Sequence, residues 1–421
     1  MKTTPDMPSP QTSVLDPQTA SPPCPHFGLC GGCQLQHLTY AAQLNNKASQ
    51  LRALLEATGL ALPELQLHPS PPLAYRNRIR LTLAEVDGRL RAGYLASAPP
   101  EPSNLEPRTT NRAFIPITQC PIAAPVLWRT TEALLDLLNA DPALWLRTRI
   151  TPDQLELFTT ADESRLQLTL TLRAPAKSLP NKFISAFTAL CESLHTRILQ
   201  LTGAGIAILL PRSTQRSRRT EVPRPGPTWG ATGLNYSVSL PAPNNQQPAT
   251  SYWVPRGAFF QANRFLLPEL LAHVTNNRTG TLAFDLYAGV GLFSRTLTAN
   301  FTQVTGVEIA EPAFSALAST KLKNLHAVRA ATLDFLRAAV LHRDRPSLIV
   351  LDPPRSGAGP EVCALLARIS APSLVYVSCS PENLPADLVT LTAAGYTLAE
   401  LHLFDLFPQT THIETVTILT R

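Results

Sequence analysis

The chain has 421 residues, 44% of them hydrophobic and 16% charged, and no apolar run approaches the ~18 residues of a membrane span. That apolar content is enough for a large core and excludes a wholly disordered chain; at about 150 residues per domain, two or three domains are expected. Lys and Arg number 36 against 30 Asp and Glu, a net charge of +6 that permits a nucleic-acid partner without requiring one.

Residues 1–23 hold six prolines and no apolar pattern, and read as a disordered tail without the apolar segment of a secretory signal. The cytoplasm is the expected compartment, where seven cysteines serve as thiols, metal ligands or nucleophiles rather than disulfides. Next comes CPHFGLCGGC, with Cys24, Cys30 and Cys33, followed much later by Cys120 in ITQCPIA. Four thiolates at these positions suit zinc or an iron–sulfur cluster. One CxxC knuckle instead of two fits a [4Fe–4S] cluster better than a zinc ribbon, and the alternative is a set of unrelated buried thiols.

Over 38–58, Leu44, Leu51, Leu54 and Leu55 recur at helical spacing, and Gly59 fits the stop. From about 70 to 245, alternating runs such as RIRLTLAEV and RLQLTLTLR predict strands, with helices over Leu127–Leu138 and Asn181–Leu194. PAPNNQQPATS (241–251) reads as a linker. From about 252 onward, strand-like runs alternate with helical patterns: TLAFDLYA, QVTGVEI, SLIVLD, SLVYVSC and ETVTILT. That alternation is the signature of an α/β sheet with crossover helices.

The chemistry-bearing residues fall at the ends of these runs. FDLYAGVGLFS puts Asp285 and then Gly289 and Gly291 where a strand turns into a helix, so that backbone can approach a ligand. About 20 residues later Glu308 ends the next strand, placed to accept two ribose hydroxyls. NAD would normally bring a third glycine; S-adenosylmethionine suits the shorter loop. LDPPRSG sets Asp352 over the same crevice, and VYVSCSPENL ends a strand on Cys379, a candidate nucleophile if it is not a buried thiol. Cys191 and Cys363 lie in helical patterns and read as packing residues. FPQTTHIETVTIL carries His412 and Glu414, the latter a general base if desolvation tunes it.

Taken together, CPHFGLCGGC with Cys120, FFQAN (259–263), DLYAGVG, GVEI, LDPPRSG, YVSCSPENL and FPQTTHIE resemble the RNA uracil-5-methyltransferase family, in the family's order and from residue 24 to the end. The resemblance implies a Rossmann-like S-adenosylmethionine-dependent methyltransferase domain joined to a β-rich iron–sulfur domain. It implies Cys379 as nucleophile, Glu414 as base, and Gln261, Tyr287, Glu308 and Asp352 as cofactor-binding positions. Cys24, Cys30, Cys33 and Cys120 would hold a [4Fe–4S] cluster, the mark of the ribosomal-RNA branch, so a 23S ribosomal RNA substrate is expected, with no membrane and a monomeric enzyme. Only 23 residues precede Cys24, which suggests the shorter type without a leading β-barrel (TRAM) domain.

The implied layout is discontinuous: 24–33 with 66–250 as the iron–sulfur and RNA-binding part, 34–65 with 251–421 as the methyltransferase part. Three departures from the family pattern are Leu292, where asparagine is frequent, the run SCSPENLPADL, and the loosely matching segment RAATLDFL. The rivals are an RNA cytosine-5-methyltransferase, which would carry a cysteine where Arg355 stands, and a non-catalytic iron–sulfur RNA-binding protein. Two basic stretches are candidate RNA contacts: PRSTQRSRRTEVPR (211–224), with Arg212, Arg216, Arg218, Arg219 and Arg224, and YRNRIR, with Arg76, Arg78 and Arg80.

Overall fold

A computed structural model describes residues 18–96, 113–141, 151–173, 181–209, 223–241 and 249–421. An eight-stranded sheet is built from β1 (Leu65–His68), β11 (Gly280–Leu286), β12 (Phe301–Val307), β13 (Leu325–Val328), β14 (Leu348–Leu351), β15 (Ser373–Ser378), β16 (Thr397–Phe404) and β17 (Glu414–Thr420). Its order is β1-β16-β17-β15-β14-β11-β12-β13, with β17 antiparallel to both neighbours and every other pairing parallel. The parallel strands are buried on both faces, as the apolar runs Leu348–Leu351 and Leu374–Val377 require.

Helices α1 (Tyr40–Glu56), α4 (Leu267–Thr275), α5 (Leu292–Leu297), α6 (Ala313–Ala318), α7 (Thr332–His342), α8 (Pro360–Ile369) and α9 (Leu384–Ala393) accompany this sheet. Two apolar clusters form its core, one including Val304, Val350 and Val416 and the other Phe284, Ile349 and Leu374. The order of strand addition reverses between β11, from which the chain proceeds to β12 and β13 on one side, and β14, from which it proceeds to β15 on the other. A ligand crevice belongs at the carboxyl ends of the strands at such a switch point.

The early strand β1 pairs with β16 from Leu65↔Leu401 to His68↔Phe404, so the 65/66 boundary read from the sequence falls inside a strand. A hairpin of β9 (Gly233–Val238) and β10 (Thr250–Pro255) also packs into the core of this sheet through Leu234, Tyr236 and Tyr252. The part around it therefore takes in residues that the 66–250 segment assigned elsewhere.

A second sheet has the order β4-β3-β2-β5-β6-β7-β8, formed by β2 (Arg78–Val86), β3 (Arg89–Leu95), β4 (Phe114–Pro116), β5 (Thr151–Thr159), β6 (Leu166–Arg173), β7 (Leu201–Leu209) and β8 (Arg224–Gly230). It is antiparallel except for β6 and β7, which the crossover helix α3 (Asn181–Arg197) makes parallel. With α2 (Pro125–Ala140) it buries its own core around Leu81, Leu127, Leu157 and Phe187.

Most of the expected disordered tail lies outside the described residues, as do most of the 241–251 linker and most of the 211–224 basic stretch. Residues 18–20, which composition assigned to the tail, pair instead with 37–39: Ala20 N–H donates to the His37 carbonyl at 2.9 Å and Thr39 N–H to that of Gln18 at 2.9 Å. No helix among the described residues is long and apolar enough to cross a membrane.

Candidate functional site

The strand registers bring five of the predicted site residues to one edge. Leu286 pairs with both Val307 and Leu351, so the residues one step further, Tyr287, Glu308 and Asp352, sit side by side at the carboxyl ends of β11, β12 and β14. On β15, Ser378 pairs with Thr415, so Cys379 and Glu414 are the next antiparallel neighbours. The sixth residue, Gln261, reaches the same edge from the segment before α4, its amide 3.5 Å from Asp352 Oδ2.

The loop after β11 is a tight turn. Tyr287, Gly289 and Gly291 have φ of 62°, 57° and 89°. At Gly291 the φ of 89° favours glycine, and a Cβ there would also press on Leu317 Cδ1 at 2.7 Å. Glu308 is held by its own turn: Oε2 accepts Gly289 N–H at 2.9 Å, and Oε1 accepts the N–H groups of Ile309 and Ala310 at 2.8 and 2.6 Å. Asp285 accepts both the backbone N–H and the hydroxyl of Ser294 through Oδ2, while its buried Oδ1 has no partner.

Burial dominates the electrostatics. Asp285 is pushed up to about 7 by desolvation, and Asp352 to about 7 by desolvation and then by Asp285. Glu414, 3% exposed, is pushed well above the carboxylate range by desolvation and then by Asp352, with Arg355 acting the other way. Cys379 is raised to about 11 by desolvation, then by Glu414 and Asp352, again against Arg355. The nucleophile and base candidates thus feel each other, Asp352 and Arg355. Arg355 is a site member that the sequence marked only as a departure from another family's pattern.

These shifts fix a stability trend. Asp285 and Asp352 are each raised to about 7, so the folded chain keeps protons that the unfolded chain releases between about pH 4 and pH 7. Stability of the free protein should fall as pH rises through that window and level off above it. Asp352→Asn should raise the unfolding free energy at pH 8 by on the order of 2 kcal/mol, with little gain at pH 4. Urea midpoints at the two pH values check this; equal effects at both would contradict the assignment of a buried neutral acid.

The segment leading into Glu414 is clamped by the front of the chain. Gln43 and Gln409 exchange reciprocal hydrogen bonds: Gln43 Nε2 donates to Gln409 Oε1, and Gln409 N–H to Gln43 Oε1, both at 2.9 Å. Lys47, 2% exposed, donates to Asp405 Oδ1 at 2.6 Å and to the Phe407 carbonyl at 3.0 Å. The backbone N–H groups of Gln34 and Leu35 both reach the Gln409 carbonyl at 3.0 Å. Buried Asn263, four residues past exposed Phe259, ties its own loop to Leu406 O at 3.1 Å, and its Oδ1 accepts the Phe265 and Leu266 N–H groups in the turn that leads into α4. Phe260, by contrast, is a core residue packed on Tyr236.

The other four predicted ligands converge elsewhere. Cys24, Cys30, Cys33 and Cys120 line one cavity of about 130 Å³ together with Arg76, Tyr94 and Gln36. Gly28 and Gly31 turn the chain there at φ of 81° and 69°. Burial, and then Cys120, Cys30 and Cys24, raise Cys33 to about 12, against a Gln36 hydrogen bond. Cys191 and Cys363 are buried in α3 and α8, as packing residues should be.

The YRNRIR stretch does not present an arginine face. Arg76 lines the cysteine cavity; Arg78 lies 4.2 Å over the Phe158 ring and donates to the Ala258 carbonyl at 2.7 Å; Arg80 is exposed and paired with Glu156. The spacing that looked basic is an alternation in which two guanidinium groups point inward. Arg224 starts β8.

The chain is similar to known RNA methyltransferases. Residues 244–421 match the family described as tRNA (Uracil-5-)-methyltransferase. A 23S rRNA (uracil(1939)-C(5))-methyltransferase of Shewanella denitrificans is 30% identical, with 96% of this chain and 83% of that protein aligned. An uncharacterized RNA methyltransferase of Thermotoga maritima is 29% identical over 95% of this chain and 84% of its own length. Among solved structures, the Pyrococcus abyssi tRNA (uracil-54, C5)-methyltransferase in complex with S-adenosyl-L-homocysteine superposes with a TM-score of 0.66. It shares 22% identity and covers 93% of this chain and 86% of its own, a likeness of fold.

Proposed function

Since the chain belongs to the RNA uracil-5-methyltransferases, enzymes of one-carbon transfer, we propose that it methylates carbon 5 of a uridine in 23S ribosomal RNA through a covalent adduct on Cys379. The observation that carries this reading is the antiparallel juxtaposition of Cys379 and Glu414 at the sheet edge where Asp352, Tyr287 and Glu308 also end their strands. Carbon 5 of uracil is a poor nucleophile. Addition of the Cys379 thiolate to carbon 6 makes an enolate whose carbon 5 is nucleophilic. Glu414 then takes the proton from methylated carbon 5, and elimination releases the thiolate. The target base must be splayed from its stack to reach a half-buried thiol.

The residues present fit the methyl donor. Glu308 suits its ribose hydroxyls, and Gln261, Tyr287 and Asp352 border the same edge. The buried, unpartnered Asp285 Oδ1 suits a polar or cationic ligand group. When bound, S-adenosylmethionine supplies an electrophilic methyl group. Arg355, which sits where a cytosine-5-methyltransferase would carry cysteine, favours uracil.

The four-cysteine cavity is read as the seat of a [4Fe–4S] cluster with a structural role. In support, Cys24, Cys30 and Cys33 and the sequence-distant Cys120 come together to line one cavity. Protein purified anaerobically should be brown with about four irons per chain; colourless protein holding one zinc would refute this part. The substrate is tested by mass mapping of ribosomal and transfer RNA from a deletion strain. One 5-methyluridine should disappear from 23S ribosomal RNA, and a loss confined to transfer RNA would overturn the choice of substrate.

A further inference from the structure

A second constellation lies away from both the sheet edge and the cysteine cavity. His68 ends β1, Glu400 and His402 share one face of β16 at i, i+2, and Glu269 and His273 share one face of α4 at i, i+4. Side-chain atoms form a continuous relay. Glu269 Oε1 is 2.5 Å from His68 Nδ1, and His68 Nε2 is 3.0 Å from His402 Nδ1. His402 Nε2 in turn is 3.0 Å from Glu400 Oε2. The relay leaves one position open: His273 Nε2 is buried, has no hydrogen-bond partner, and stands 3.7 Å from Glu400 Oε2.

We propose that His273, Glu400 and His402 form a divalent-metal site of the zinc type, which pins α4 to the sheet edge. One ligand atom from each of the three lies within 4.8 Å of the other two, close enough for small side-chain rotations to close the set. Two imidazoles and a carboxylate are a set that zinc takes in tetrahedral sites, with a fourth position left to water. The rest of the relay supplies what such sites need around them. His402 ligates through Nε2 while Nδ1–H donates to His68, and His68 Nδ1–H donates to Glu269, fixing tautomer and ring direction. A hydrogen-bonded staple with no metal would have no use for a buried, unpartnered nitrogen aimed at the carboxylate.

The site does not depend on the methyltransferase reading, and its test separates it from the cysteine cavity. Tag-free, iron-reconstituted full-length protein is titrated with Co²⁺ and then with Zn²⁺. One equivalent of Co²⁺ should give visible ligand-field bands without the intense near-ultraviolet band of thiolate ligation, and Zn²⁺ should displace it. Zn²⁺ should also raise the melting temperature. His273→Ala and Glu400→Gln should abolish both responses. Glu269→Gln, a change at a half-exposed relay residue that should leave folding intact, should weaken affinity about 10- to 100-fold. A thiolate band, no binding by the parent protein, or unchanged affinity in Glu269→Gln and His273→Ala would each overturn the proposal.

Discussion

Cys379→Ala should reduce methyl transfer by at least about 10⁴-fold, with RNA and cofactor affinities little changed. The same variant should form no adduct with RNA carrying 5-fluorouridine. With the parent enzyme, thiolate addition and methylation can proceed on that RNA, but carbon 5 then holds fluorine in place of the removable proton, and the protein stays attached. The thiol starts from an unfavourable resting state, raised to about 11. Part of that rise comes from Glu414 and Asp352, while Arg355 pulls the thiol down. Denaturing gels with labelled RNA read the adduct, and a methyl-transfer assay reads the rate. Full activity in Cys379→Ala would sink the covalent mechanism, and a retained adduct would move the nucleophile to another residue.

Why the place of Cys379 at the sheet edge was legible in the sequence, while much around it was not, follows from where information sits in the chain. Strands buried on both faces must be apolar runs, so LIVL and SLVYVS announce themselves, and a polar residue directly after such a run is placed at the sheet edge by geometry alone. Asp352, Cys379 and Glu308 were legible for that reason. The clamp on the loop before Glu414 was not. The buried face of α1 includes Gln43 and Lys47, which an apolar-periodicity search discards, and their partners Gln409 and Asp405 lie some 360 positions away. Charge was equally misleading in YRNRIR, because sequence shows a guanidinium group but not the Phe158 ring or the Ala258 carbonyl that receives it. The histidine relay draws on three separate elements, none of which carries two histidines at a ligand spacing.

Glu414→Gln separates the two halves of the reaction and is expected to give the opposite outcome to Cys379→Ala. Glutamine keeps the size of the side chain and adds no charge to a site where burial already disfavours one, so the fold should survive; if anything, stability at pH 8 should rise. Addition of Cys379 to carbon 6 and methylation of carbon 5 need no base at Glu414. Removal of the carbon 5 proton does, so turnover should fall by about 10²- to 10⁴-fold while a methylated protein–RNA adduct accumulates on ordinary uridine RNA. Mass spectrometry of the nuclease-digested adduct should find the uridine on Cys379 with its methyl group in place. An adduct lacking the methyl would assign Glu414 to an earlier step, and normal turnover would remove it from the chemistry. The parent enzyme should lose turnover as pH falls below the raised pKa of Glu414, because the protonated acid cannot act as base. Glu414→Gln should flatten that limb of the profile, a result that a merely structural role for Glu414 would not produce.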